Sequence, residues 1–414
     1  MHHAPEPHYS FTIPSIHDDT PLDCRIYHPS ILLQVHSGAT EDHKRWRRRG
    51  IVMAHPYAPM GGSHDDRIVG IVVAEFLALG YVVGTFNFRG AHGSKGHTSW
   101  SGKPEADDYI SFAALFILYL SQLRAFPSID ANTPTESSVS TPASPRTEAS
   151  SYTTDEYPIV ILGGYSYGST ILRSLPPIPS ILQPFHAPVQ GSSASEIILR
   201  AHKLSEQINQ DWLTLARDYH YRRGRGHEAK LSVTMGGEET CPEQRRNSRE
   251  NRSSVDGTGR LELGTRLRSM SHLRVKEALG PIAKATTANA PVTRASIEMP
   301  DVRYLLISPL TFPISTLAAP GLAGLPNMGL KFWSKEKDGD SEVFGKHKCL
   351  AVNGDQDIFT SAKKIQHWAE RISEESGSDF THVEIAGAGH FWVEEGVEEQ
   401  LRSALRDWEV HIRD

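Results

Sequence analysis

Short apolar runs recur along the chain, each followed by a polar turn and then by a stretch with helical spacing. Residues 51–54, 81–86, 158–163, 302–307, 348–353 and 380–385 have the length and composition of buried strands. Residues 65–79, 105–124, 168–174, 361–374 and 394–411 carry the apolar spacing and end signals of helices, with Gly80 closing the first. Alternation of this kind builds a mainly parallel sheet with helices on both faces, because parallel strands need a crossover between them. Nearer the N-terminus, Ser10–Pro14 and Leu22–Tyr27 alternate between apolar and polar residues, predicting an antiparallel pair at the sheet edge.

Two stretches interrupt the pattern. Residues 127–156 are dominated by Ser, Thr, Pro and acidic residues, and 238–260 by Glu, Arg, Asn, Ser and Gly. Neither can bury enough apolar surface to offset the entropy of ordering, so both are expected to be disordered surface loops. The resulting organisation is one core, 1–173 with 300–414, carrying an insertion at 174–299 where a helical cap would sit. Within the insertion, Ser195–Tyr219 places Ile197, Ile198, Ala201, Leu204, Ile208, Trp212, Leu213 and Leu215 on one helical face. That face either packs on the core or lines a substrate pocket. The apolar run Leu305–Ile314 and its continuation to Trp333 leaves the carboxyl edge of the sheet, where it either packs as loop or walls a ligand site.

Composition narrows the class. The 414 residues carry a formal net charge of −6, with 22% charged and 38% hydrophobic content, which suits a globular enzyme and argues against a nucleic-acid binder. Two basic runs, Lys44–Arg49 and Arg222–Arg225, read as solvated flanks or helix ends, the alternative being contact with an anionic partner or membrane surface. The three cysteines, Cys24, Cys241 and Cys349, show no paired spacing, which fits a reducing compartment. No apolar signal core or membrane-length run is present, so a cytoplasmic location without an integral membrane segment is expected. The 21 histidines include no H-E-x-x-H pattern and no cluster with metal-ligand spacing, so no metal is expected. His92 and His97 are expected to be structural or exposed.

The chemistry concentrates at Gly164-Tyr165-Ser166-Tyr167-Gly168, which follows the apolar run 157–163 and precedes a helical stretch. A G-x-S-x-G at such a junction forces the serine into strained backbone angles and lifts its hydroxyl above the sheet edge. A serine so placed needs a histidine to take its proton and a carboxylate to orient that histidine, in chain order Ser, Asp/Glu, His. Asp355 and Asp357 follow the strand ending at Gly354, and His390 sits in the glycine-rich loop after the strand 380–385. His382 is the other histidine of this region but lies inside the strand. The backbone N–H of Tyr167 and that of Tyr57, in the loop after strand 51–54, are the expected oxyanion donors.

These segments together resemble the α/β-hydrolase superfamily. Within it the chain is similar to small serine hydrolases carrying H-P-x-P-x-x-G-G and N-F-R-G-x-G-x-S-x-G, here His55-Pro56-Tyr57-Ala58-Pro59-Met60-Gly61-Gly62 and Asn87-Phe88-Arg89-Gly90-Ala91-His92-Gly93-Ser94-Lys95-Gly96. Ala58, His92 and Thr360 depart from the pattern. The resemblance implies an α/β-hydrolase fold, assigns the orienting acid to Asp357, and predicts hydrolysis of a carboxylic ester or thioester with a small-molecule acyl substrate and no cofactor. An acyltransferase or a serine peptidase would use the same residues. A non-catalytic binding protein on this fold would be expected to lack one of Ser166, Asp357 or His390.

Overall fold

The computed structural model describes residues 5–33, 46–125, 157–228, 297–311, 343–375 and 377–413. Eight strands form one sheet: β1 Tyr9–Pro14, β2 Pro21–Tyr27, β3 Arg49–Ala54, β4 Val82–Phe86, β5 Ile159–Tyr165, β6 Asp301–Ile307, β7 Cys349–Gly354 and β8 Phe380–Ile385. Their order is β1-β2-β4-β3-β5-β6-β7-β8. β2 runs antiparallel to both neighbours, and every other neighbouring pair is parallel. This is the α/β-hydrolase fold, and all eight strands stand where the apolar runs predict them.

The central strands are apolar at nearly every position because both faces are covered. Successive side chains alternate between two cores. Val52, Val160, Leu162, Leu306 and Ala351 face one, against helices α3 (Lys103–Ser121), α4 (Tyr167–Arg173), α5 (Ile178–His186), α6 (Ser193–Glu228) and α7 (Ala362–Ser373). Ile51, Met53, Ile161, Leu305 and Val352 face the other, against α2 (Arg67–Ala78) and α8 (Val397–Ile412). A four-residue helix, α1 (Ser30–Leu33), follows β2.

The chain divides into two compact units, residues 1–219 with 294–414, and residues 220–293. Of the second, only the end of α6 is described. In the first, Ile197, Ala201, Ile208 and Trp212 of α6 are buried in the core beside α3, whereas Leu215 is exposed. Ser205 Oγ donates to Gln122 Oε1 just beyond the end of α3, and Asn209 Nδ2 donates to the Gln122 carbonyl. This face therefore packs on the core. The segments 127–156 and 238–260, the stretch 312–342 that holds most of the apolar continuation, and Cys241 lie outside the described residues. Cys24 and Cys349 are free and buried. No described helix is long and apolar enough to cross a membrane.

Candidate active site

The loops at the carboxyl ends of β5, β7 and β8 bring together Ser166, Asp357 and His390, and the loop after β3 sets Tyr57 against Tyr167. Ser166, between β5 and α4, has φ 54° and ψ −112°, a conformation that costs a non-glycine residue about 1–3 kcal/mol. Two glycines make it possible. A Cβ on Gly164 would lie 2.4 Å from the Gly168 carbonyl carbon, and one on Gly168 would lie 2.7 Å from the Ala54 oxygen. The Ser166 N–H donates to the Ile307 carbonyl at 2.9 Å, which ties the turn to the end of β6.

Ser166 Oγ lies 2.8 Å from His390 Nε2, and His390 Nδ1 lies 2.7 Å from Asp357 Oδ2. All three residues are buried. The second oxygen of Asp357 accepts the N–H groups of Phe359 at 2.8 Å and Thr360 at 3.0 Å, so the carboxylate is held from both sides. Asp355 has a different place: its Oδ1 accepts the Gly387 N–H at 2.7 Å and shapes the loop leading to His390. His382 lies on β8 with Nε2 2.6 Å from Asn353 Oδ1, and burial lowers its pKa. It is not brought to Ser166. His92 and His97 are exposed.

The N–H of Tyr167 opens α4, where a helix has no acceptor of its own to offer. Tyr57 precedes the 3-10 turn Ala58–Met60, and its carbonyl accepts the N–H groups of Met60 and Gly62. The two tyrosine rings meet edge to face with centroids 5.0 Å apart, so the loop after β3 lies against the start of α4. His55 anchors this loop. Its Nε2 accepts the Phe88 N–H at 2.9 Å and its Nδ1 lies 2.6 Å from the Pro56 carbonyl, an arrangement that requires a neutral ring protonated at Nδ1. Full burial lowers the His55 pKa to about 3.

Several supporting contacts were not foreseen from the sequence. Tyr165 Oη donates to the His390 carbonyl at 2.8 Å, and burial raises the tyrosine's pKa, which keeps the hydroxyl a donor. Trp392, fully buried at φ 56°, donates Nε1 to Ser308 Oγ at 2.9 Å, and Ser308 itself has φ 46°. Arg67 reaches the Trp392 carbonyl from α2. Arg89 donates its N–H, Nε and Nη2 to Asp108 on α3 and Nη1 to Asp18 in the β1–β2 turn, so this motif arginine braces the sheet edge. The two glycines of G-x-S-x-G are legible as a signal, but the partner of Tyr165 lies 225 residues away.

Among the described residues, no group of three or more His, Cys, Asp or Glu side chains is arranged to hold a metal ion. A groove of ≈ 700 Å³ opens between β8 and α8, lined by Phe380, Val383, Trp408 and His411 among others. Ser166, Asp357 and His390 do not line it.

No family model matches the chain, and no curated protein is significantly similar to it in sequence. Among solved structures, it is similar to an alpha-beta serine hydrolase homologue from Coxiella burnetii, with 13% identity, a TM-score of 0.41, and 97% of this chain and 98% of that one covered. A serine hydrolase without a lid from Xanthomonas campestris gives 13% identity and a TM-score of 0.41, with 98% and 95% covered. An esterase from Pyrococcus furiosus gives 9% and 0.42, with 97% and 90% covered.

Proposed function

We propose that this chain is a serine hydrolase that cleaves a carboxylic ester or thioester through an acyl-enzyme on Ser166. The observation that carries the reading is the continuous path Ser166 Oγ, His390 Nε2, His390 Nδ1, Asp357 Oδ2, with links of 2.8 and 2.7 Å. Ser166 and His390 stand 224 residues apart in the chain and Asp357 and His390 33 apart, yet all three meet at hydrogen-bond distance, and Ser166 holds a strained backbone. Strain of this kind persists only where the surrounding structure over-determines it.

In the proposed reaction His390 takes the Ser166 proton as Oγ attacks the acyl carbonyl. The carbonyl oxygen gains charge and is held by the N–H groups of Tyr167 and Tyr57, each such donor contributing about 3–4 kcal/mol to the transition state. Asp357 keeps the imidazole in the tautomer with Nδ1 protonated and stabilises the imidazolium that forms. The proton on Nε2 passes to the leaving group, and water then resolves the acyl-enzyme by the same route reversed. No step calls for a cofactor. Residues 1–173 and 300–414 supply every group named, with 174–299 as the insertion.

The test is labelling by a fluorophosphonate together with turnover of p-nitrophenyl esters. Wild-type protein is expected to show both, and Ser166→Ala neither. Unchanged ester hydrolysis by purified Ser166→Ala protein would remove the reading.

A further inference from the structure

The His390 ring is enclosed unevenly. Tyr165 lies against it at 5.8 Å with the planes 29° apart, from the buried side of the site. Two phenylalanines meet it edge to face: Phe359 at 4.6 Å and 68°, and Phe391 at 5.5 Å and 90°. The two phenyl rings also touch each other, with centroids 5.9 Å apart. Phe391 remains 49% exposed despite these contacts, so part of its ring surface is left uncovered beside the imidazole it touches. The pair is also firmly placed. The Phe359 N–H is held by the carboxylate of Asp357, the same group that orients His390, and Phe391 directly follows His390 in the chain.

The chemistry says which part of a substrate meets this wall. Resting on the reading of Ser166 as nucleophile, acylation forms the Oγ–carbon bond and breaks the bond from that carbon to the alcohol oxygen. The proton taken from Ser166 onto His390 Nε2 is handed to that departing oxygen, which leaves as the free alcohol. The alcohol oxygen must therefore come within hydrogen-bond reach of Nε2, so the alcohol portion passes beside the imidazole. The carbonyl oxygen belongs instead at the N–H groups of Tyr57 and Tyr167, whose rings pack together 5.0 Å apart.

We infer that Phe359 and Phe391 form an apolar subsite for the alcohol portion of the ester, so that the enzyme selects esters of bulky apolar or aromatic alcohols. Aromatic surface favours this class because edge and face contacts add to the area that an apolar ring removes from water. Small alcohols leave the two rings uncovered and gain nothing from them.

The experiment compares kcat/KM for ethyl acetate, benzyl acetate and ethyl hexanoate on wild-type protein, Phe391→Ala, Phe391→Leu and Phe359→Ala. Wild-type protein is expected to prefer benzyl over ethyl acetate. Phe391→Ala should cut that preference about tenfold, the scale on which an apolar subsite discriminates. Phe391→Leu should restore part of it, and the ratio of ethyl hexanoate to ethyl acetate should stay unchanged in all variants. Because Phe391 is half exposed, its replacement leaves the core intact, and equal fluorophosphonate labelling of wild type and variant checks that the nucleophile is still formed. An unchanged benzyl-to-ethyl ratio with intact labelling overturns this inference alone, as does a loss confined to the hexanoate ratio. Absence of labelling and of ester turnover in wild-type protein overturns the hydrolase reading, and this inference with it.

Discussion

Tyr165 donates its hydroxyl to the main-chain carbonyl of His390 across 2.8 Å, linking the residue before Ser166 to the histidine whose Nε2 lies 2.8 Å from Ser166 Oγ. Both groups are buried, so no water can replace the bond when it is lost. The strand that sets Ser166 thus also sets the height of the His390 loop. Trp392 and Ser308 add a second tie, from the end of β6 to the same loop.

Tyr165→Phe keeps the ring and removes the donor. One such bond carries about 1–2 kcal/mol, which corresponds to roughly a tenfold effect if it is expressed mainly in the geometry of His390. The expected outcome is a kcat lowered about tenfold with KM close to wild type. Steady-state kinetics on a p-nitrophenyl ester checks it. An unchanged kcat would mean that the Trp392–Ser308 tie suffices.

The two carboxylates of 355–357 should separate by phenotype. Asp357→Asn is expected to lose about four orders of magnitude in kcat, the scale seen when an orienting acid is removed, with its melting temperature nearly kept. Asp355→Asn weakens the bond to the Gly387 N–H, so stability should fall by about 1 kcal/mol while most activity remains. Measuring kcat and Tm on both variants decides the roles. A fully active Asp357→Asn protein would move the acid elsewhere.

Arg89 and Asp108 form a buried ion pair, with Nη2 2.7 Å from Oδ1 and both side chains almost wholly enclosed. Removing one partner leaves a buried charge uncompensated. Arg89→Met is therefore expected to destabilise the fold by about 3–5 kcal/mol, read as a shift in the urea midpoint. A shift below about 1 kcal/mol would mean that Asp108 finds another partner or takes up a proton.

Acid should destabilise the protein through its buried histidines before its carboxylates titrate. Burial lowers the pKa of His55 to about 3 and that of His28 well below 6.5. The unfolded chain binds these protons from about pH 6.5 downward, whereas the folded one does not. The stability they contribute is complete above about pH 6.5 and is lost as pH falls toward the folded values, at up to about 1.4 kcal/mol per pH unit for each group. Urea unfolding at pH 7.5, 6 and 5 should follow this slope. His55→Gln should be less stable at pH 7.5 but show a shallower loss, and an unchanged slope would remove His55 from the account.

Strand positions, the helix positions other than α1 and the proline-containing α5, and the order of the candidate site residues were legible in the sequence because each depends on local pattern. An apolar run between turns reads as a strand whatever it packs on, and Gly164 and Gly168 reveal a turn whose sterics are local. The same logic reaches Ser166, the glycine-rich loop of His390 and the acidic pair at 355–357. The rest required the tertiary structure, because it rests on contacts between residues far apart in the chain. Nothing in the apolar periodicity of α6 distinguishes a face buried beside α3 from one lining a pocket; that depends on which surface the helix meets. Likewise Tyr165, Trp392, Phe359 and Phe391 carry no sequence signal of their bearing on His390. Their geometry follows from β5 and β6 lying side by side and from the loops after β7 and β8 folding over their ends, which turns strand order into neighbourhood.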